Sequence, residues 1–284
     1  APGYVESDTT IELLEEVKNE IASKVKNNVN KALLEKHHAF DVRNTKTKYD
    51  DEQMQLSLTY FAVTNNKPAF AIESSKNLSS LSQKVYYQLL AIEEFMRIMD
   101  ISFKRKFLLN ETNLNKILSQ YGDLRINNNI SLNLSNIKNT LRFIPIRYKY
   151  NEFEFSHPLG SIKRGNGENI VYIGNKKVTT LRPQYFKMDE FCPNKIEIEI
   201  DGNITFINPT QEFIINDDFK IINKDGVRVN VIGFTSKNVF NESGITIHRD
   251  SLNKKFALDR DNKTFRIEFY KNDNFCSMSV VHFK

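Results

Sequence analysis

The sequence predicts two domains, an α+β domain over residues 1–158 and an all-β sandwich or barrel over residues 159–284. Two long helical periodicities lie in the first region, whereas short strand patterns separated by turn residues fill the second. The stretch His157-Pro158-Leu159-Gly160 lies between the two regions. Its proline and glycine are typical of a linker, so we place the boundary there.

The strongest helix signal covers residues 80–100. Ser80 can act as the N-cap, and Gln83 three residues later completes a capping box. Apolar residues then recur at spacings of three and four, which places them on one helix face. We expect other elements to cover a helix this apolar, so it should form the core of the first domain. The face consists of Val85, Leu89, Ile92, Met96 and Met99.

The other elements of the first domain follow from local patterns. Thr9 and Glu12 form a second capping box, which opens a helix that runs to about Lys36, after a loose end over residues 1–8. Three strands are predicted next, from Phe40, over residues 54–62 and over residues 69–73. The predicted order is therefore helix, three-strand antiparallel meander, helix.

Strand patterns dominate the rest of the chain. Pro145 predicts an edge strand within residues 142–155, because proline removes one donor of the ladder. Asp201-Gly202 stands between two alternating runs and predicts a type I′ hairpin. Many short strands with such turns favour a sandwich or barrel.

Composition limits the classes of function. The chain of 284 residues has 40 basic and 35 acidic residues, so it is not a polybasic nucleic-acid-binding body. It has no run of 18 apolar residues, which predicts no membrane span. The sequence opens on Ala1-Pro2-Gly3, which we interpret as a processed or trimmed chain with a lean to a secreted or periplasmic protein. Cys192 and Cys276 could form a disulfide or remain buried thiols.

One candidate constellation suggests catalysis. Asp50 and Asp51 open the second predicted strand, Glu73 and Lys76 close the third, and His38 ends the first helix. This order resembles the core of restriction-endonuclease-like nucleases, in which clustered carboxylates bind Mg²⁺ or Mn²⁺ and a lysine places a positive charge near the attacking water. The resemblance implies a catalytic set of Asp51, Glu73 and Lys76. The chain departs from the motif because no proline precedes the aspartates and Glu-Ser-Ser-Lys is one residue too long.

Two further patterns bear on nucleic-acid binding and on metal binding. Arg147, Tyr148 and Lys149 alternate cations with an aromatic ring, which suits phosphate contacts and base stacking as well as a half-exposed edge strand. His37-His38 has no third ligand at a metal spacing, so we predict no metal site there.

The sequence therefore predicts a non-catalytic binding or assembly module outside the cytoplasm, which contacts a protein partner through its β domain and needs no cofactor. Exposed strand edges available for pairing with a partner support this prediction. The alternative is a metal-dependent nuclease that uses Mg²⁺ or Mn²⁺, and nucleic-acid binding without catalysis is the third option.

Overall fold

The computed structural model describes residues 3–8, 12–44, 52–189, 193–224 and 226–284, with side chains described from residue 19 onward. The chain divides into two compact units, Ala1–Ser119 and Gln120–Lys284. The predicted boundary near residue 158 falls inside the second unit. Residues 120–158 supply strands to the sheets of that unit, and the His157–Gly160 stretch is a turn between two of them.

The first unit contains α-helices and three strands. A short 3-10 helix, Lys36–His38, lies between α1 and β2, and another, Met54–Leu56, precedes α2. The elements in chain order are β1 (Gly3–Asp8), α1 (Glu12–Lys31), β2 (Phe40–Asn44), α2 (Leu58–Thr64), β3 (Ala69–Glu73), α3 (Leu81–Ile98) and α4 (Glu111–Leu118).

The three strands form a mixed sheet in the order β2-β1-β3. β1 pairs in parallel with β2, with Gly3 opposite Phe40, and antiparallel with β3, with Tyr4 opposite Glu73. The predicted antiparallel meander is wrong in this detail. Residues 3–8, which we predicted as a loose end, form the central strand.

The predicted second strand is helical. Ser57 caps α2 by accepting a hydrogen bond from the Tyr60 amide at 3.1 Å. Alternating apolar residues suggested a strand with one buried face, but Leu56 is 90% exposed and Leu58 87% exposed. The alternation therefore does not reflect a buried sheet face, and the cap decides the local structure.

Helix α3 has the predicted N-terminus and a different core face. Ser80 Oγ accepts from the Gln83 amide at 3.1 Å, and Gln83 Oε1 accepts from the Ser79 amide at 3.2 Å. The fully buried apolar residues of α3 are Tyr87 and Ala91. The face that we predicted to be the core is half-buried to exposed, with Ile92 at its middle 45% exposed.

The second unit is built from strands. Two 3-10 helices, Arg249–Ser251 and Lys254–Phe256, interrupt the strand order. The strands are β4 (Asp123–Ile126), β5 (Ile130–Asn133), β6 (Thr140–Ile146), β7 (Phe153–Phe155), β8 (Gly160–Gly165), β9 (Glu168–Ile173), β10 (Lys176–Tyr185), β11 (Ile196–Ile200), β12 (Asn203–Ile207), β13 (Glu212–Ile215), β14 (Asp218–Ile221), β15 (Arg228–Val231), β16 (Ile247–His248), β17 (Thr264–Lys271) and β18 (Asn274–Phe283).

Three sheets enclose two apolar cores in this unit. The largest sheet follows the order β15-β17-β18-β5-β4-β7, with β13 pairing to β18. One core joins it to sheet β12-β11-β14-β16, and the other joins it to sheet β6-β10-β9-β8. Strands β17 and β18 supply side chains to both cores, which explains why nearly all of their residues are buried.

Local predictions for this unit agree with the structure. Asp201 and Gly202 both have positive φ, +47° and +81°, as the predicted hairpin between β11 and β12 requires. Pro145 lies in β6, which is an edge strand. The predicted fold class, an α+β region followed by a β-rich region, is confirmed. None of the helices in the described part of the chain has the length and apolarity needed to cross a membrane.

Candidate active site

Glu73 is the last residue of β3, and its side chain is exposed. Lys76 follows in the next turn and is also exposed. Ser75 between them is buried, and its hydroxyl accepts a hydrogen bond from the Asn77 amide at 3.1 Å. The third predicted residue, Asp51, lies outside the described residues. The structure therefore places Glu73 on a rigid strand end whose turn is fixed by Ser75.

Sheet register places Glu73 at one edge together with the beginnings of β1 and β2. Glu73 lies opposite Tyr4, and Tyr4 lies opposite Asp41 on the other side. Since neighbouring strands are about 4.8 Å apart, the Cα atoms of Glu73 and Asp41 are separated by roughly 10 Å. His38, two residues before β2, belongs to the same edge.

Three other carboxylates of the first unit are bound to neighbouring side chains. Glu93 is buried and accepts two hydrogen bonds from the Arg105 guanidinium, at 2.7 and 2.6 Å. Glu94 pairs with Arg97, and Glu111 accepts from the Ser80 hydroxyl at 3.1 Å. These groups stabilise helix contacts, whereas the Glu73 side chain is exposed at a strand end.

A first cluster with metal-ligand chemistry is Glu35, His37 and His38, whose ligand atoms lie within 4.8 Å of one another. Two histidines and a glutamate are a donor set typical of zinc. Glu35 and His37 are exposed, and His37 Nδ1 lies 3.4 Å from Glu35 Oε2.

Hydrogen bonding argues against a metal at this cluster. The buried Tyr87 hydroxyl oxygen accepts from the Leu34 amide at 2.9 Å, and it lies 2.8 Å from His38 Nδ1. His38 Nδ1 is therefore already engaged by a hydrogen bond that closes the end of α1. A metal ion bound through this nitrogen would have to displace the Tyr87 hydroxyl, so the cluster does not fit a metal.

A second cluster lies in the β unit and consists of Asp217, Asp218 and His248. His248 Nδ1 is 3.6 Å from Asp218 Oδ2. The backbone amides of Asp217 and Asp218 donate to the Asp201 carboxylate, at 2.8 and 3.3 Å. The two aspartates therefore lie where the chain turns from β13 into β14, with His248 at the end of the neighbouring strand β16, and we assign no metal to the cluster.

The predicted nucleic-acid-binding residues follow β6 in an exposed loop. Tyr148 is 75% exposed, and its ring meets that of Tyr185 edge-on at 5.2 Å. Asn151 organises the loop, since its Oδ1 accepts from the Arg147 amide at 2.9 Å. The binding role of Arg147, Tyr148 and Lys149 stays a prediction.

Two family models match separate parts of the chain. Residues 11–119 match the catalytic domain described as a carboxypeptidase controlling helical cell shape. Residues 189–284 match the C-terminal domain of a metallo-carboxypeptidase. This chain resembles a metallo-carboxypeptidase. The catalytic match ends where the first compact unit ends, at Ser119, and it includes Glu73.

Solved structures of the cell shape determinant Csd4 from Helicobacter pylori resemble the carboxypeptidase-like chain over its length. The apo form is 29% identical with a TM-score of 0.81, and the match covers 99% of this chain and 69% of that one. The mDAP-bound form, described as a D,L-carboxypeptidase, is 30% identical with a TM-score of 0.79, covering 94% and 65%. The tripeptide-bound form is 28% identical, with a TM-score of 0.81 and coverage of 100% and 69%. No curated protein matches the chain significantly.

These comparisons overturn several predictions from sequence. The prediction of a non-catalytic binding or assembly module is wrong, because a catalytic carboxypeptidase domain matches residues 11–119. The nuclease alternative and its Mg²⁺ or Mn²⁺ are wrong for the same reason. The prediction that the protein needs no cofactor is also wrong, because the matched family is one of metallo-carboxypeptidases. We predicted a protein partner, whereas the Csd4 structures contain a tripeptide in one case and mDAP in another.

From the sequence, Glu73 was predicted as part of a nuclease set, and a catalytic role for it stays a prediction. A single glutamate at a strand end is a weak signal, because exposed strand ends carry such residues in many proteins. The sequence lacks a local motif of histidines and carboxylates that would have suggested a metallopeptidase. Since neither described cluster fits a metal, we derive no catalytic step through one.

Proposed function

We propose that this chain acts in a carboxypeptidase of the D,L type, which removes the C-terminal residue from a short peptide ending in mDAP. The catalytic-domain match over residues 11–119 carries this proposal. Support comes from Csd4, a D,L-carboxypeptidase solved with a tripeptide and with mDAP, to which this chain is up to 30% identical.

Within this proposal Glu73 is the catalytic carboxylate. Peptide hydrolysis by water requires a base that takes a proton as the water attacks and returns it to the leaving amine. An exposed carboxylate at the end of a strand can present its oxygens to both groups with little side-chain motion. The turn fixed by Ser75 limits the movement of the backbone behind it.

We also propose that the protein is located outside the cytoplasm, as we expected from the sequence. Cys276 in the buried face of β18 is disulfide-bonded, whereas Cys192 lies outside the described residues. Structural disulfides persist in oxidising compartments such as the bacterial periplasm. A cell-shape enzyme that trims wall peptides would act there.

The test uses the purified full-length protein with added Zn²⁺ and two synthetic tripeptides that differ only in the configuration of the residue before the terminal mDAP. Mass spectrometry should detect mDAP release from the D,L isomer, at least about a hundredfold faster than from the L,L isomer. Chelation should abolish release and Zn²⁺ should restore it. Equal cleavage of both isomers, or release that survives chelation, would overturn the proposal.

A further inference from the structure

The second unit contains a cavity that the proposed reaction does not use. Its volume is about 420 Å³, which lies within the range of small-molecule sites. Most of the lining is apolar and includes Phe143, Ile232 and Phe256. The charged lining residues are Arg142, Lys255 and Arg266, and no acidic residue lines the cavity.

The backbone is irregular at the mouth of this cavity. Phe143 has φ +59°, a value that residues other than glycine rarely adopt, and its ring is 53% exposed. The register between β6 and β10 shifts at this residue, so Phe143 forms a β-bulge in an edge strand. Bulges and positive φ values of this kind are concentrated at binding sites.

A buried arginine holds the bulge open. The Arg266 guanidinium, 4% exposed, donates to the carbonyl oxygens of Arg142 and Phe143, both at 3.0 Å. Both acceptors therefore turn away from β10 and toward β17. The bulge is stabilised by two hydrogen bonds from a charged group, which are stronger than neutral ones.

The ion pair behind the bulge is incompletely hydrogen-bonded. Arg266 Nε lies 2.9 Å from Glu268 Oε1, yet these two atoms are not aligned for a hydrogen bond and neither has another partner among the described residues. Glu268 Oε2 accepts from the Tyr270 hydroxyl at 2.5 Å. Burial raises the pKa of Glu268 and lowers that of Arg266.

Another basic residue, Arg228, lies beside the cavity. The Arg228 guanidinium stacks 4.0 Å from the centre of the Tyr270 ring and lines an adjoining depression that shares Phe143, Ile232 and Phe256 with the cavity. Its partner Asp273 is 3.7 Å away and 94% exposed, so water screens that pair.

We propose that this cavity binds an amphipathic carboxylate, a small molecule or peptide end with an apolar body and one free carboxylate. The rings of Phe143 and Phe256 suit the apolar body, and the exposed side chains of Lys255 and Arg142 provide positive charge for the carboxylate. The proposal is independent of catalysis by the first unit, because every residue that it uses belongs to the β unit.

The test measures binding of 4-phenylbutyrate and of its neutral isostere 4-phenylbutyramide to the full-length protein by titration calorimetry. The carboxylate should bind at least about tenfold more tightly than the amide, and this preference should shrink as salt is added. Equal binding of the two probes, or no binding of either, would contradict the proposal.

Two neighbouring lysines give a matched pair of variants. Lys254 and Lys255 are both exposed in one 3-10 helix, but only Lys255 lines the cavity. Lys255→Gln should weaken 4-phenylbutyrate binding by about fivefold or more, whereas Lys254→Gln should leave it within about twofold. Phe256→Ala should weaken both probes, because it removes an apolar wall. Equal effects of the two lysine variants would refute the site.

Discussion

The two units differ in how completely they bury their apolar residues. The first unit has a small core around Val25, Tyr87 and Ala91, while Leu58 and Phe61 stay exposed at 87% and 66%. In the second unit, long runs of β17 and β18 are buried between two cores. Contiguous exposed apolar residues favour contacts with other molecules, whereas a shared double core favours stability. We therefore expect the candidate catalytic unit to be less stable than the β unit.

The largest effect is expected in the β unit. Phe269→Ala removes a fully buried ring from β17 and should cost about 3–5 kcal/mol. Urea unfolding, followed separately by probes in each unit, should show this loss in the transition of the β unit. Ile92→Ala on the half-exposed face of α3 is the comparison and should cost less than about 1 kcal/mol. Similar losses for the two variants would remove the contrast between the units.

A smaller effect is expected in the first unit. Tyr87→Phe keeps the buried ring but deletes the hydroxyl that is hydrogen-bonded to the Leu34 amide and to His38 Nδ1. Unpaired buried polar groups should cost about 1–3 kcal/mol in urea unfolding of this unit.

The control is Tyr86→Phe, which deletes an exposed hydroxyl bound to the Ala32 carbonyl at 3.2 Å and should cost less than Tyr87→Phe. Equal costs would show that the hydroxyl of Tyr87 does not organise the end of α1. The hydrogen bond to His38 Nδ1 would then be no obstacle to a metal ion at the cluster.

The smallest effect concerns pH and the hairpin of the β unit. Hydrogen bonds from the backbone amides of Asn216 and Asp217 lower the pKa of Asp201 below its ordinary value of 3.8. A lowered pKa in the folded state stabilises the protein above pH 3.8, and this stabilisation is lost as the pH falls through the folded pKa. Asp201→Asn should therefore reduce the loss of Tm between about pH 5 and pH 2. An unchanged pH profile would contradict this role.

Much of the fold could be predicted because local signals determine it. The cap at Ser80 begins α3, and Asp201-Gly202 forms the expected hairpin. The prediction of a strand over residues 54–62 was wrong, because the alternating apolar residues there are not buried against a sheet. The Ser57 cap is the local signal that distinguishes the helix. Central strand β1 was missed because its pairing partners lie more than 30 residues away in sequence.

The candidate site was harder to predict than the fold. Glu73 was singled out, but a lone carboxylate does not specify which bond is broken, and the proposed chemistry rests on the comparison with Csd4. The cavity of the β unit depends on Arg266 reaching the carbonyls of Arg142 and Phe143. These hydrogen bonds join residues that are more than 120 positions apart, so a local sequence pattern does not predict them.

The central claim is that Glu73 carries the hydrolysis, and steady-state kinetics of Glu73→Gln on the D,L tripeptide test it most directly. We expect kcat to fall about 10²–10⁴-fold with KM changed by less than about threefold, and with an unchanged Tm. Glu52→Gln, an exposed control in the same unit, should retain full activity. A Glu73→Gln protein that releases mDAP at the rate of the unsubstituted enzyme would contradict the account.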